Sequence, residues 1–311
     1  MAEKTRGKAK RIIIAAVAAA LLIAAVFGLW YIIDGDGVFS GLENTLQSSG
    51  SSAADLEGIG ITCLDVGQGD CSFVVCDGRT MLIDAGESVY SERVIGYLRS
   101  VGVKKLDYVV CSHFHSDHIG SMSAVIDEFT PSTVIMPSVS PELIPDTAAY
   151  GSLIRSVNDC GAGIITPLPG DSFELGGAQV VTVGPVNELT DNHNDLSLVM
   201  KIKYGKRSFL FTGDAEEREE TDIVNSGADI RSDVLKVGHH GSLSSSSPGF
   251  LNAVSPGYCV ISVGAGNDYG HPHDTVLNAL SSFTDKIYRT DICGNVYLYS
   301  DGESITVKLD K

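Results

Sequence analysis

From residue 59 onward, short runs rich in β-branched and aromatic residues take turns with stretches of helical period. ITCLDV, SFVVC, TMLIDAG, YVVCS and TVIMPS read as strands, because a few such residues bounded by Gly, Asp or Ser suit a pleated, buried surface. SERVIGYLRSVG and MSAVIDEF space their apolar residues three and four apart, which predicts helices with one buried face. The second half repeats the grammar, with VVTVGP, LSLVMKIKYGKRSFLFTGD, VLKVGHH and YCVISVG alternating with AEEREETDIVNSG and HDTVLNALSS. Two sheets covered by helices within one α/β domain, 59–311, follow from that order, and no internal repeat is visible. The closing KIYRTDICGNVYLYSDGESITVKL carries a Cys-Gly-Asn and an Asp-Gly turn, which predict terminal hairpins.

The amino-terminal pattern is different. Residues 12–33, IIIAAVAAALLIAAVFGLWYII, contain no charge and are long enough to cross a bilayer as a helix. A cleavable signal peptide would have a shorter apolar core and a small-residue cleavage site, whereas Trp30 and Tyr31 close this run like an interfacial belt. A retained signal anchor is therefore the expectation. The basic segment 1–11 would stay in the cytoplasm and everything after Asp34 would face outward, placing the domain at the cell surface. Residues 34–58, rich in Gly, Ser and acid, read as a flexible stalk.

Charge and cysteine usage narrow the picture. The chain carries −17, with 22 basic and 39 acidic residues. Setting aside the five bases and the single Glu3 that precede Asp34 leaves 17 basic against 38 acidic residues, a net −21 for the outward part. Such a surface repels polyanions, so a nucleic-acid or phosphate substrate must be drawn by bound metal or a local basic patch. Seven cysteines, with no CxxC spacing, describe neither a zinc finger nor a complete disulfide framework. They are expected mainly as small buried hydrophobes, with one bridge among Cys63, Cys71 and Cys76 left open.

The chemistry is concentrated in SHFHSDHIG, which follows the apolar run LDYVVC and holds three of the chain's eight histidines. His113 and His115, two apart on extended chain, point the same way and can share one ion. Asp117 and His118, at the turn into a helix, can reach a second ion beside it. A two-ion centre also needs a carboxylate able to bridge, and Asp214 at the end of FLFTGD meets that description. His239 and His240 end the strand-like VLKVGHH; on extended chain they would point to opposite sides, so one is expected as a ligand and the other beside it.

These residues together resemble the metallo-β-lactamase superfamily: HFHSDH, TGD and KVGHHGS, with IDAG upstream and YGHPH downstream. More narrowly, LDVGQGD, FLFTGDA, VGHHGS and GHPH are similar to the C-terminal domain of ComEC-type competence proteins, over nearly all of 59–311. The resemblance implies an αββα sandwich and two divalent metal ions, Zn or Mn. His113 and His115 would hold one ion and Asp117 and His118 the other, with Asp214 bridging and His240 or His239 completing a site. Asp84 of MLIDAG would orient a metal-binding histidine. Asp117, Asp84 and His271 are the candidate catalytic groups, His271 as a proton donor to a leaving oxygen or a phosphate contact.

Gln68, Asn194, Asp195 and Ser242 are expected near substrate, and SLSSSSPG as a mobile rim. The superfamily often places a histidine ligand before the Asp214 strand; here the local match is Asn194 and Asp195, with His193 one residue away as a further ligand candidate. An oxygen-richer site moves the metal preference toward manganese. The expected activity is metal-dependent phosphodiester hydrolysis, most directly of DNA, with competence or uptake machinery as partner. The alternatives are a teichoic-acid or phosphorylcholine esterase acting on wall polymer, and an accessory that binds DNA or wall polymer without turnover.

Overall fold

A computed structural model describes residues 56–187 and 190–311. The expected cytoplasmic segment 1–11, membrane helix 12–33 and most of the stalk 34–58 lie outside the described residues. Among those described, no helix is long and apolar enough to cross a membrane.

Six strands open the domain: β1 Ile59–Cys63, β2 Ser72–Cys76, β3 Arg79–Ile83, β4 Tyr108–Val110, β5 Thr133–Ile135 and β6 Gly163–Ile165. Seven more build a second sheet: β7 Ser172–Leu175, β8 Ala178–Gly184, β9 Val199–Tyr204, β10 Arg207–Phe211, β11 Val234–Lys236, β12 Tyr258–Ile261 and β13 Ile287–Arg289. The last two, β14 Val296–Ser300 and β15 Ile305–Leu309, return to the first sheet, whose order is β15-β14-β1-β2-β3-β4-β5-β6. The second sheet runs β13-β12-β11-β10-β9-β8-β7.

Alternation along the strands makes the layers. In β2, Val74 and Cys76 enter the core between the sheets while Phe73 and Val75 face the helices outside. In β10, Phe209 and Phe211 face inward and Leu210 outward. Both faces of each sheet are thus apolar and must be covered. The helices Ser91–Ser100, Met122–Phe129 and Ala148–Cys160 cover the first sheet through Leu98, Ile126 and Leu153. Glu217–Ser226, Pro248–Val254 and Asp274–Ser281 cover the second through Ile223, Leu251 and Leu280. Helix, sheet, sheet, helix is the expected αββα order.

Two local expectations are corrected, and the cysteines are as read. Asp301 and Gly302 turn the β14–β15 hairpin as read, but Cys293, Gly294 and Asn295 connect strands of different sheets and form no hairpin. The serine-rich segment is anchored: Ser246 and Ser247 donate their N–H groups to the Glu220 carboxylate at 2.5 and 2.7 Å, and the Ser245 hydroxyl donates to Ala215 O. All seven cysteines are free, five of them fully buried.

Strands β3 to β6 run parallel, as do β10 to β13, so their carboxyl ends collect at one edge of the sandwich. Side chains placed just past those ends converge there.

Phe209 sits between the sheets at 2% exposure. Phe209→Ala should therefore cost about 3–5 kcal/mol of unfolding free energy, read by chemical denaturation with an unchanged denaturant slope.

Candidate metal centre

Asp84, Ser112, Asp214 and the two adjacent histidines all follow parallel strand ends. Gly213, at φ +51, makes the turn after β10, and a Cβ there would press within 3.0 Å of Ser197 and Ser112. Close approach of these three segments is what lets Asp214 sit at the centre.

The Asp214 Oδ2 oxygen is the meeting point. It lies 3.3 Å from His118 Nε2, 3.6 Å from His240 Nε2, 3.8 Å from His239 Nε2 and 3.9 Å from His113 Nε2. His113 Nε2 and His115 Nδ1 converge to 3.0 Å, as side chains two apart on extended chain should. Asp117 Oδ2 stands 3.3 Å from His240 Nε2 and 4.0 Å from His118 Nε2. Asp117, His118, Asp214 and His240 bring one ligand atom each within 4.8 Å of one another.

His239 and His240 do not behave as strand-end residues. Both adopt left-handed backbone, at φ 47° and 54°, in a short helical turn Gly238–Gly241. That turn swings both rings toward Asp214 instead of to opposite sides. His240 is buried, with Nδ1 donating to the Ser262 carbonyl at 2.9 Å, which leaves Nε2 as the free lone pair facing the acids. His239 is half-exposed, and its Nδ1 is held by Ser244 Oγ at 3.0 Å and Glu216 Oε1 at 3.2 Å.

Carboxylates behind the rings fix their orientation. Asp84 accepts from His118 Nδ1 at 2.9 Å and from the Ser112 N–H and hydroxyl at 2.7 and 2.6 Å, so His118 also presents Nε2. Asp70 stands beside His240 as a charge and not as a hydrogen-bond partner: its Oδ1 lies 3.4 Å from Nδ1, whose proton goes to Ser262. Its other oxygen pairs with Lys236 Nζ at 2.7 Å, both side chains almost wholly buried. Gly69, at φ +152, lets the Asp70 loop touch its neighbour: a Cβ would lie 2.4 Å from the Asp117 carbonyl.

Sequence reasoning missed Lys236, because a lysine inside the apolar run VLKV looks like a solvent-facing strand position. Asp70, within LDVGQGD, is buried between Lys236 and His240.

The electrostatics show what the cluster demands. Burial opposes charge on His118, yet the Asp214 and Asp84 carboxylates outweigh it and hold the ring's pKa well above the ordinary value. The same balance lifts His240 to about 10 through Asp214, Asp117 and Asp70. Burial alone would raise the Asp214 pKa, but His118 and His240 hold it well below the carboxylate range. The acids therefore call for positive charge among them. His118 Nε2, His240 Nε2 and Asp214 Oδ1 are buried without hydrogen-bond partners. Buried orphans of this kind, all good ligands for a borderline or hard divalent cation, fit a metal-binding centre.

The centre floors an open cavity of about 580 Å³ lined also by Gln68, Phe114, Pro145, Asn194, Tyr269 and His271. Gln68 accepts the Gly264 N–H at 3.1 Å, tying two rim loops together. Asn194 donates to Glu216 Oε1 at 3.0 Å. His193 also lines the cavity, its ring 5.7 Å from that of His115. Of the other expected substrate contacts, Asp195 is buried with Oδ1 accepting the Glu216 N–H at 3.1 Å, and Ser242 Oγ lies 3.0 Å from the Ser244 Oγ that meets His239. His271 is near the centre, but burial and the neighbouring His239, His240 and His273 push its pKa down to about 4. That shift favours the uncharged ring at this place on the rim.

The family model of the metallo-beta-lactamase superfamily matches residues 64–264. This chain belongs to the metallo-β-lactamase superfamily. Among curated relatives, ComE operon protein 3 of Bacillus subtilis (strain 168) is 28% identical over 260 residues, covering 78% of this chain and 33% of that protein. Competence protein ComA of Neisseria gonorrhoeae is 31% identical over 239 residues, covering 75% of this chain and 31% of its own. The chain thus spans about a third of the length of these ComEC-type relatives. Among solved structures, CmlA, a diiron β-hydroxylase from Streptomyces venezuelae, superposes with a TM-score of 0.55 at 15% identity, covering 79% of this chain and 55% of that one. At that identity the likeness shows a shared fold alone.

Lys236 and Asp70 give this superfamily member a testable weak point. Lys236→Met strands a buried carboxylate and should cost about 3–5 kcal/mol, whereas Lys236→Met combined with Asp70→Leu should recover most of that loss. Thermal and denaturant unfolding of the single and double variants decide it.

Proposed function

We propose that the protein is a metal-dependent phosphodiesterase that cleaves DNA, anchored in the membrane by residues 12–33 with its catalytic domain outside the cell. The observation that carries the hydrolase reading is the convergence of four imidazoles and Asp117 on the Asp214 carboxylate. Where the residues fit a pair of divalent ions, His113, His115 and Asp214 would hold one, and Asp117, His118, His240 and Asp214 the other. His193 is placed beside the first set. Bound Zn or Mn supplies Lewis-acid polarisation of a phosphoryl oxygen and a water acidified to near neutral pH.

The chain's own residues do the rest. Asp84 and the Ser262 carbonyl lock the tautomers of His118 and His240, so both rings meet the centre through Nε2. Asp214 stays ionised and central, with its burial limiting solvent. Asn194 and Gln68 offer neutral polar groups at the wall, and Phe114 and Pro145 exclude water from one side. A set of four imidazoles and two carboxylates would suit divalent ions acting on a phosphoryl group, and one of the relatives that match is named a competence protein. Participation in DNA uptake, beside a competence machinery, belongs to this reading.

One observation favours a second reading. No Lys or Arg is among the described residues lining the cavity. A phosphorylcholine ester, such as one carried on teichoic acid, has a quaternary ammonium that offsets its phosphate charge and would suit such a wall.

Full-length protein stripped and reloaded with Mn or Zn should cleave single- or double-stranded DNA, and Asp214→Ala should abolish cleavage while a folded far-UV spectrum persists. Cleavage of neither DNA by metal-loaded protein, with release of phosphocholine from wall polymer, would move the assignment to the second reading.

Location has its own test. Protease added to intact cells should digest the domain and spare a short amino-terminal fragment; a domain protected until lysis contradicts the outward orientation.

A further inference from the structure

Tyr269 is 67% exposed, yet it is carried on one of the most firmly held loops of the rim. Asn267 staples that loop with four hydrogen bonds. Its Oδ1 accepts from the Tyr269 and His271 N–H groups at 3.1 and 3.0 Å, and its Nδ2 donates to the Gly264 and His271 carbonyls at 2.9 and 2.7 Å. His273 N–H reaches the Gly241 carbonyl at 3.0 Å, tying the same loop to the histidine turn.

The rings on this loop form a staircase. Tyr269 stacks on His271 at 5.6 Å with planes 25° apart, and His271 lies 6.5 Å from His240 at 28°. Nearly parallel planes therefore step from the open rim down to a ring of the metal centre. The outer face of Tyr269 is left uncovered. The hydrogen bonds of Asn267 fix the backbone that carries Tyr269, and an aromatic face offered to solvent at the mouth of a cavity is a ready stacking surface.

The occupant must be planar, must bring a phosphate to the floor, and must bind without ion pairs at the wall, because no Lys or Arg is among the described lining residues. A cavity of about 580 Å³ is also the size of a small-ligand site, not of a groove that tracks a long backbone. We infer that Tyr269 is a stacking shelf for one unpaired nucleobase adjoining the scissile phosphate, which makes the enzyme select single strands or strand ends. The inference rests on the phosphodiesterase reading for the phosphate at the floor. In a duplex each base face is covered by its neighbours, so only an unstacked base can use the shelf; stacking is sequence-tolerant because every base has a π face.

The test separates base from phosphate by binding alone. Manganese-loaded full chain is titrated by calorimetry with thymidine 5′-monophosphate and with 2-deoxyribose 5-phosphate, which carries the same phosphate and no base. The parent should bind the nucleotide roughly 5- to 150-fold more tightly, the range that one stacked base supplies. Tyr269→Ala should erase the preference and Tyr269→Trp should keep it. Raising salt from 50 to 200 mM should leave the ratio unchanged, since both probes release the same counterions.

Equal affinity for the two probes, no measurable binding of the nucleotide, or a preference that survives Tyr269→Ala overturns the shelf. Tighter binding of phosphocholine than of the nucleotide also overturns it and gives the ring to a quaternary ammonium. If the base preference holds while DNA is not cleaved, the nuclease reading falls and the shelf stands.

Discussion

Three carboxylates with almost no access to water, Asp70, Asp84 and Asp214, stand within reach of the same few imidazoles, and Asp117 joins them from the rim. Burying an ionised carboxylate without a partner costs several kcal/mol, so this edge of the sandwich is stable only with compensating positive charge. The partners differ from acid to acid, with His118 shared between two of them. Asp70 takes Lys236, Asp84 takes the His118 ring, and Asp214 takes the ring edges of four histidines. The architecture follows from that need, since only parallel strand ends from both sheets can deliver so many short side chains to one point.

Lys236 exposes the conflict between packing and function. It enters from β11, a three-residue strand that is wholly buried, and its Nζ also donates to the Val237 carbonyl at 2.9 Å. An apolar residue would pack there more cheaply. The charge is retained in the core because Asp70 is, and Asp70 is retained because it stands behind His240. Glu220 makes a similar bargain farther out: burial raises its pKa to about 7, and the N–H groups of Ser246 and Ser247 give the carboxylate its partners. That contact fixes the segment that carries Ser244 against His239.

The part of the site contained in HFHSDH was legible because extended chain fixes which way neighbours point, and no long-range contact was needed to bring those side chains together. His239 and His240 were misread for the opposite reason. Their convergence depends on left-handed backbone at both positions, which is uncommon for residues other than Gly and leaves no mark in a hydrophobic pattern. Lys236 and the Asp195 to Glu216 contact were hidden because burial of a charged side chain is decided by what lies opposite it, hundreds of atoms away. The strands were mostly visible as β-branched runs; the helix Ala148–Cys160 was not singled out, its apolar face being diluted by Ala, Gly and Ser. Cys293 to Asn295 looked like a hairpin turn because local turn chemistry says nothing about which sheet the next strand will join.

Charge also limits what the centre can hold. With Lys236 cancelling Asp70, the remaining Asp84, Asp117 and Asp214 leave three negative charges at the floor. Two divalent cations would turn that into a surplus of one positive charge, enough to match a single phosphodiester. Glu216 stands farther out, 24% exposed, where solvent screens it. A long polyanion would meet no further cation on the described cavity wall. Long-range attraction therefore contributes little, and residence at this centre depends on short-range contacts: ligation at the floor, neutral polar groups from Gln68 and Asn194, and ring faces at the rim. On the phosphodiesterase reading, such a site would take one unit of a polymer at a time, its selectivity set by which unit can be exposed to it rather than by how strongly the polymer is drawn.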